Sequence, residues 1–340
     1  MDSLILLILS LSSAIIYNMH RIRIGVLRGG PSNEYDVSLK TGATVLNNLS
    51  HEKYNIKDIL IDRNGLWHMQ GVPRLPHDVL SNLDVVFNAL HGEYGEDGKV
   101  QHILETHGIP YTGSNSFSSA IGMNKQMSKE VYKKNKIKTP GSILLDSLVD
   151  FSKNVHEIFR KFPLPMIIKP TTGGSSFGVE LVHDYSYLDE AIKKAFEHSR
   201  TVLIEEYIKG KEATCGVIDD YRGKEFYTLP PIEIRPHGNR IFDYDAKYAG
   251  KSDEIVPGNF GMEEKSEIEE LAIMAHRALG MRHYSRSDFI IHPSRGIFIL
   301  ETNSLPGLTK ESLIPKALHA VGATISHFVD HVVGLALRGK

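Results

Sequence analysis

At 340 residues the chain is long enough for two or three domains, and its 41% hydrophobic and 24% charged residues are typical of a globular protein. The formal net charge of -2 excludes a strong field for a polyanion, so we expect no nucleic acid as a partner and a local site for any phosphate. The single cysteine, Cys215, excludes an internal disulfide framework and a cysteine-rich metal site, and it favours a reducing compartment.

An apolar stretch interrupted by three serines covers residues 4–17. It is short for a membrane-spanning helix, which needs about 20 apolar residues, and the preceding Met1-Asp2-Ser3 lacks the basic leader of a secretory signal. Met19 stands just before the first predicted strand. We define residues 1–20 as an apolar leader and expect the true start at Met19, so that the leader before Met19 is not translated; the competing interpretation is a weak signal-anchor.

Residues 21–124 alternate short apolar strands with helical stretches, a pattern that predicts an N-terminal α/β domain with a parallel sheet. The predicted elements are strands at 22–27, 54–61 and 85–89 and a helix at about 37–48. Polar, glycine-rich loops follow two of these strands, at residues 28–34 and 91–98. Such loops bind ligands in open α/β sheets, although the same residue types also serve simply to make turns.

A second unit begins with a lysine-rich helical stretch at residues 125–136 and continues as a small α+β domain. Its predicted elements are strands at 178–183 and 202–206 and a helix near 187–198. The loop after Lys169 is rich in glycine and serine, whose backbone and hydroxyl groups can hold phosphate oxygens. It lacks the Gly-Lys-Ser/Thr of a P-loop, and a plain mobile loop is an equally good interpretation.

The apolar strand predicted at 202–206 ends in two carboxylates, Glu205 and Glu206, and an extended segment continues to Glu212. Backbone groups of such a segment can pair with an adenine edge while Glu212 accepts bonds from ribose hydroxyls. Charged residues at a strand end are more often only solvated.

Oxygen ligands gather near two further predicted strands, at 289–292 and 296–301, which are separated from the central unit by a helical pattern at 263–279. Glu301 and Asn303 share one strand face because side chains alternate, and Asp288 on the pairing strand completes an oxygen site suited to Mg²⁺. A turn at residues 305–313 can bind a carboxylate at the following helix start. The alternative is an ion pair between Arg286 and Asp288 or Glu301.

Taken in order, these clusters resemble the ATP-grasp superfamily, and within it the D-alanine–D-alanine ligases. The motifs that carry the resemblance are residues 29–34 with 37–38, 91–92 with 95–98, 122–125, 169–178, 243–248, 286–288 and 301–307. The resemblance spans residues 21–340 and implies three domains: an N-terminal substrate domain (21–124), a central lid domain (125–213) and a C-terminal catalytic domain (214–340). It also implies ATP as co-substrate, bound between the sheets of the last two domains.

The resemblance assigns a role to individual residues of the nucleotide and metal sites. Nucleotide binding is implied for Lys125, Lys169, Ser176, Glu205, Glu206, Ile208 and Glu212. Two Mg²⁺ ions, or Mn²⁺ in their place, are implied at Asp288, Glu301 and Asn303. Glu206 departs from the family pattern, in which a lysine is frequent at this position, and residues 171–174 vary the phosphate loop.

The implied reaction joins two D-alanines through a D-alanyl phosphate. Catalytic or positioning roles are implied for Glu34, Ser175, Lys247, Tyr248, Arg286 and Gly307, and substrate contacts for His91, Ser312 and Leu313. His91 has an equally weighted alternative as a satisfied turn histidine. The Lys247-Tyr248 pair is altered in relatives that use D-lactate or D-serine, so D-alanine is expected as the acceptor.

The resemblance further implies a cytoplasmic enzyme that supplies peptidoglycan precursor synthesis, with no membrane partner and with a homodimer as one open possibility. Two other hypotheses are open. One is an ATP-grasp ligase with another acceptor, and the other is a nucleotide-binding module without turnover that is tethered to a membrane through the leader.

Overall fold

The structure, a computed structural model, describes residues 21–148, 162–174, 178–237 and 252–339. The leader and the predicted site residues Ser175, Ser176, Lys247 and Tyr248 lie outside these ranges. Within them, three β-sheets are arranged along the chain, one in each of the predicted units. The predicted mixed α/β and α+β class is confirmed.

The N-terminal sheet has the strand order β4-β3-β2-β1-β5. Its strands are β1 (Ile22–Gly29), β2 (Tyr54–Ile61), β3 (Trp67–Met69), β4 (Val72–Arg74) and β5 (Val85–Asn88). The central pairs, β1 with β2 and β1 with β5, are parallel as predicted. Helices α1 (Tyr35–Asn48), α2 (Pro76–Leu80) and α3 (Lys99–Thr106) accompany this sheet.

The sequence pattern missed an extension of this parallel sheet at one edge, where β3 and β4 form an antiparallel hairpin that pairs with β2. Gln70 and Gly71 make the two-residue connection, and both have positive φ, 56° and 76°. This is the backbone form of a tight hairpin turn. Glutamine at its first position gives none of the usual Asn-Gly or Asp-Gly signal, which is why the hairpin was missed.

The central sheet is antiparallel, in the order β6-β9-β7-β8. Its strands are β6 (Ser142–Asp146), β7 (Met166–Pro170), β8 (Glu180–Val182) and β9 (Thr201–Glu206), and α6 (Leu188–Phe196) packs on it after a short 3₁₀ turn. Apolar side chains of the helix and of β7 and β9 form their own core, which includes Ile192, Met166 and Ile204. The sequence pattern missed β6.

The C-terminal sheet has the order β13-β12-β10-β14-β15, with β11 paired to β10. Its strands are β10 (Lys211–Tyr221), β11 (Lys224–Thr228), β12 (Ile232–Pro236), β13 (Ser252–Ile255), β14 (Tyr284–His292) and β15 (Gly296–Asn303). The predicted boundary at 213/214 falls inside β10. The sequence pattern found only the last two of these strands, and it began β14 at residue 289, five residues late.

Helices cover the C-terminal sheet and connect it to the rest of the chain. They are α4 (Ser116–Met123), α5 (Lys125–Lys134), α7 (Met262–Ala278), α8 (Leu313–Ala320) and α9 (Ile325–Leu337). Asn124 ends α4 and caps α5, where its side chain accepts a hydrogen bond from Met127 N at 3.0 Å. The predicted 124/125 boundary therefore coincides with a break between two helices.

One apolar core joins the first and last sheets. It contains Val26 of the N-terminal sheet, Ile218 of the C-terminal sheet and Phe328 of α9. At its edge, Asp330 accepts a hydrogen bond from the Tyr54 hydroxyl at 2.7 Å. Within the described ranges, no single helix is long and apolar enough to cross a membrane, and α8 with α9 meet that measure only as a pair bent by 106°.

Gly29 ends β1 at a point where no side chain fits. Its φ is +92°, and a Cβ atom there would lie 2.2 Å from the backbone oxygen of Ile61. Its N–H donates to Ser38 Oγ at 2.8 Å, and Ser38 Oγ donates to the backbone oxygen of Ala89. These bonds fix the loops that follow β1 and β5.

We predict that Gly29→Ala destabilises the N-terminal sheet by at least about 2 kcal/mol, because a backbone clash adds to the strain of positive φ. Gly65→Ala is the matched control: its φ is +83° with nothing within 4 Å, so it costs only roughly 1 kcal/mol. The single tryptophan, Trp67, is buried in this sheet, so its fluorescence during urea unfolding measures both effects. Equal losses in the two variants would contradict the assigned clash.

Candidate active site

Two loops at the ends of β1 and β5 place Glu34, His91 and Glu96 together. Their ligand atoms all lie within 4.8 Å of one another. Ser32 Oγ donates to the backbone oxygen of His91 at 2.6 Å, and Thr41 Oγ1 lies 2.8 Å from His91 Nε2. His91 is therefore held from two sides, which agrees with the hypothesis of a structural turn histidine. It also lies beside Glu34, which agrees with the predicted contact to the first substrate.

The central sheet sends the loop after β7 to meet these residues. Lys125 N–H donates to Thr171 O at 2.8 Å, and Lys125 Nζ donates to Gly173 O at 2.9 Å. A Cβ atom on Gly174 would lie 2.9 Å from Glu34 Oε1, so a larger residue there would displace the Glu34 carboxylate. The loop after β7 thus contacts both Lys125 and the Glu34 carboxylate. The structure describes this loop up to residue 174.

The predicted oxygen ligands face one another across the β14–β15 ladder. Asp288 is directly opposite Glu301, and Arg286 is opposite Asn303. The register shifts between Asp288 and Phe289, so a β-bulge interrupts strict alternation and both Leu300 and Glu301 line the same cavity.

Arg286 forms a fork with Asp288 through two hydrogen bonds, each 2.9 Å. Thr214 Oγ1, on the neighbouring strand β10, donates to Asp288 Oδ1 at 2.6 Å. The ion pair considered as an alternative from the sequence is therefore present. It does not remove Arg286 from the site, because Arg286 also lines a cavity with Glu34.

The turn after β15 leads into the first turn of α8. A Cβ atom on Gly307 would lie 2.7 Å from Ser312 Oγ, so the two residues are in close contact. Thr309 N–H donates to Ser312 Oγ at 3.1 Å. Ser312 is the N-cap of α8 and Leu313 its first residue, which places their N–H groups at the positive end of the helix dipole.

Two cavities connect these elements. The substrate cavity is lined by Glu34, Glu96, Lys125, Gly174, Arg286, Glu301, Asn303 and Gly307, among others. The nucleotide cleft lies between the central and C-terminal sheets and is lined by Lys125, Lys169, Glu205, Glu206, Ile208, Glu212, Asp288 and Glu301, together with apolar Ile167, Val179, Ala213, Ile234, Phe289, Ile290 and Leu300. Lys125 and Glu301 line both, so the two cavities meet at these residues.

An ion pair spans the outer end of the nucleotide cleft. Arg295, in the turn between β14 and β15, donates to both carboxylate oxygens of Glu206 on β9, at 2.9 and 3.1 Å. Burial alone raises the pKa of Glu206, but bonds from Arg295 and from Gly141 N–H outweigh it and hold that pKa below its usual value. Glutamate at this family-variable position thus joins two sheets.

Most predicted site residues within the described ranges line one of the two cavities. His91 lies beside Glu34, and Ser312 lies beside Gly307 and is followed by Leu313, but these three residues line neither cavity. The individual roles follow only from the family resemblance. Sequence reasoning gave no role to Glu96, Lys129 or Thr214. Glu96 stood in a quoted glycine-rich motif, and Lys129 follows Lys125 by one helical turn. Thr214 carried no signal, because its contact with Asp288 depends on the pairing of β10 with β14.

The donor set fits magnesium on chemical grounds. Asp288 and Glu301 are directly opposed carboxylates, an arrangement that is unfavourable without a cation between or beside them. With Asn303 they offer only hard oxygen ligands and no thiolate or imidazole.

An apolar cleft between two antiparallel sheets, lysines at its inner end and facing carboxylates beyond them define an ATP-grasp ligase. Family models agree: the D-ala D-ala ligase N-terminus matches residues 23–77 and 73–114, and the D-ala D-ala ligase C-terminus matches residues 143–334.

Whole-chain comparisons give the same result. A D-alanine–D-alanine ligase of Bacillus anthracis is 38% identical over 320 residues, 93% of this chain and 98% of the relative. That of Carboxydothermus hydrogenoformans is 36% identical over 323 residues, covering 94% and 99%. The chain belongs to the D-alanine–D-alanine ligase family, and the predicted family and enzyme class are confirmed.

Solved structures extend the likeness to the fold. The VanG D-Ala:D-Ser ligase of Enterococcus faecalis matches with a TM-score of 0.84 at 32% identity, covering 93% of this chain and 99% of that one. The Bacillus anthracis ligase complexed with ATP matches with a TM-score of 0.77 at 33% identity, covering 94% and 98%.

We predict that Arg295→Ala raises the KM for ATP by up to about fivefold and leaves kcat unchanged. A partly exposed ion pair contributes about 1 kcal/mol or less, and this one only holds the cleft walls together. The matched control is Arg200→Ala, which breaks a similar fork to Asp146 inside the central sheet. Steady-state kinetics at varied ATP measures both; an equal rise in the control would contradict a role for the cleft-spanning pair.

Proposed function

We propose that the chain joins two D-alanines into D-alanyl-D-alanine, with ATP converted to ADP and phosphate. The observation that carries the proposal is the junction of the two cavities at Lys125 and Glu301. A nucleotide in the cleft would direct its terminal phosphate toward that junction. A small carboxylate held beside Glu34 and Arg286 lies on the other side of it.

Activation comes first because a carboxylate is a poor electrophile. A carboxylate oxygen of the first D-alanine bonds to the γ-phosphorus, and the bond from that phosphorus to the bridging oxygen breaks, which releases ADP. We assign the phosphate charge to Lys125 and Lys169, and contact with the transferring group to Lys247 and Ser176. Fixed cations in a water-poor cleft stabilise such a transfer strongly.

Amide formation follows. The amine of the second D-alanine bonds to the acyl carbon, a proton passes to solvent, and the bond to phosphate breaks. We assign stabilisation of the tetrahedral oxyanion to Arg286 and the Gly307 N–H. The Arg286–Asp288 fork holds the guanidinium plane in place for that task.

Substrate recognition rests on groups around the substrate cavity. We assign Glu34 to the ammonium of the first D-alanine, with Ser175 and Tyr248 as its partners, and His91 to the neighbouring carboxylate. Ser312 and the N–H of Leu313 receive the carboxylate of the second D-alanine, which the helix dipole of α8 favours. On the nucleotide side, Glu205 to Ile208 meet the adenine edge and Glu212 the ribose.

Asp288, Glu301 and Asn303 would hold the magnesium ions, or manganese ions, and a bound divalent ion supplies charge neutralisation to the phosphate oxygens. D-serine is a second candidate acceptor, because a D-Ala:D-Ser ligase is among the similar structures. We also propose the three predicted domains, a cytoplasmic location, a role in peptidoglycan precursor synthesis and a possible homodimer.

We predict that Arg286→Ala keeps ATP binding and lowers kcat by about 100-fold or more, because the oxyanion loses a fixed donor. Arg286→Lys keeps the positive charge but not the two-pronged contact with Asp288, so its kcat should lie between those of Arg286→Ala and the wild type. ATP affinity by calorimetry and ADP release by a coupled assay separate binding from turnover. Turnover of Arg286→Ala near the wild-type value would remove the assigned role.

We predict that the full chain with Mg-ATP releases ADP in the presence of D-alanine and not L-alanine, and that mass analysis finds D-alanyl-D-alanine. D-serine and D-lactate, each mixed with D-alanine, test the acceptor. A dominant mixed product with D-serine would replace the acceptor assignment. ATP binding without ADP release in any mixture would favour a nucleotide-binding module over a ligase.

A further inference from the structure

Lys129 is a fully buried lysine behind the nucleotide cleft, with 1% of its surface exposed. Its Nζ lies 2.7 Å from Glu205 Oε1, 2.7 Å from Pro140 O and 3.0 Å from Thr139 Oγ1. The ammonium donates hydrogen bonds to Pro140 O and Thr139 Oγ1, and the Glu205 carboxylate is its ion-pair partner. Lys129 is therefore directed into the fold and away from nucleotide phosphates.

Glu205 lies between two lysines. Its Oε2 is 2.7 Å from Lys169 Nζ, opposite the contact with Lys129. Burial alone raises the pKa of this carboxyl group, but the charges of Lys169 and Lys129 outweigh burial and hold the pKa below its usual value. Burial lowers the pKa of Lys129 to about 8, with Glu205 opposing the shift, so the lysine is mostly charged at neutral pH.

The Glu205 carboxylate lines the nucleotide cleft and retains hydrogen-bonding capacity. Oε1 is buried and has no hydrogen-bond partner in the part of the chain that the structure describes, because Lys129 approaches it as an ion pair outside hydrogen-bond geometry. A buried acceptor without a donor is unfavourable. An ionised carboxylate can only accept, so the matching ligand group is a donor such as an exocyclic amine.

We propose that Lys129 is a positioning residue that makes the cleft selective for adenine over 6-oxopurines, by holding Glu205 as an oriented, ionised acceptor. The inference rests on the proposed function, which places the nucleotide base in this cleft. Without Lys129, only Lys169 still offsets burial, so the pKa of the Glu205 carboxyl group rises and Oε1 loses the contact that orients it. A protonated carboxyl group donates to the 6-carbonyl of hypoxanthine, whereas the ionised carboxylate can only accept from the 6-amine of adenine.

The test compares ATP with ITP, which differs by carrying a 6-carbonyl in place of the 6-amine. Lys129→Met keeps the length of the side chain and removes the charge. We expect the ATP-to-ITP ratio of binding constants, measured by calorimetry, to fall about tenfold or more, as for the loss of a charged hydrogen bond. We expect kcat at saturating ATP to change much less, because Lys129 does not touch the reacting groups.

Lys133→Met is the matched control, one helical turn further along α5, where the lysine is half-exposed and paired with Glu130. The ATP-to-ITP ratio of binding constants in Lys133→Met should equal that of the wild type. Glu205→Gln alone and combined with Lys129→Met completes the test. If Lys129 acts through Glu205, adding Lys129→Met to Glu205→Gln leaves the ATP-to-ITP ratio unchanged. Comparing Glu205→Gln with the double variant therefore tests the role of Lys129 even if Lys129→Met alone does not fold.

The outcomes separate the two proposals. A wild-type ratio in Lys129→Met, or a further tenfold fall in the double variant, overturns the role of Lys129 and leaves the ligase function intact. A wild-type chain that binds neither nucleotide overturns the assignment of the cleft, and the role of Lys129 with it. A wild-type chain that binds ATP in preference to ITP but forms no dipeptide removes only the ligase function.

Discussion

The antiparallel pairing of β14 with β15 is the contact on which the site depends. It sets Asp288 against Glu301 and Arg286 against Asn303, and it adds a bulge that turns Leu300 and Glu301 toward one cavity. Two facing carboxylates are unfavourable in isolation. The arrangement suits the cation and phosphate site that we propose, and it supports that proposal more strongly than any single loop does.

Two carboxylates of the cleft have fixed partners within the fold. Glu205 has Lys129 and Lys169, and Asp288 has Arg286 and Thr214. Removing one member of a buried pair leaves an uncompensated charge, which costs far more than the pair contributes. The cleft is therefore preorganised by interactions that do not involve the nucleotide.

The substrate cavity is lined by residues from all three sheets. Glu34 comes from the N-terminal sheet, Gly174 from the loop after β7 and Arg286 from the C-terminal sheet, yet all line one cavity. The close approach of Gly174 to Glu34 joins the loop to the first domain. The Glu206–Arg295 pair adds a further link between the central and C-terminal sheets.

The sequence by itself determined the family and located the three parallel strands and helix α1 of the N-terminal sheet, because periodicity and ordered motifs are local properties. It missed the Gln70-Gly71 hairpin, β6 and the strands from β10 to β13, where turn residues were unusual or alternation was weak. The tertiary structure alone decided that Thr214 supports Asp288, that Arg295 reaches Glu206 and that Lys129 lies against Glu205. Each of these contacts joins residues far apart in the chain, so it depends on sheet register and on the packing of helices against sheets, neither of which is encoded in any short stretch of sequence.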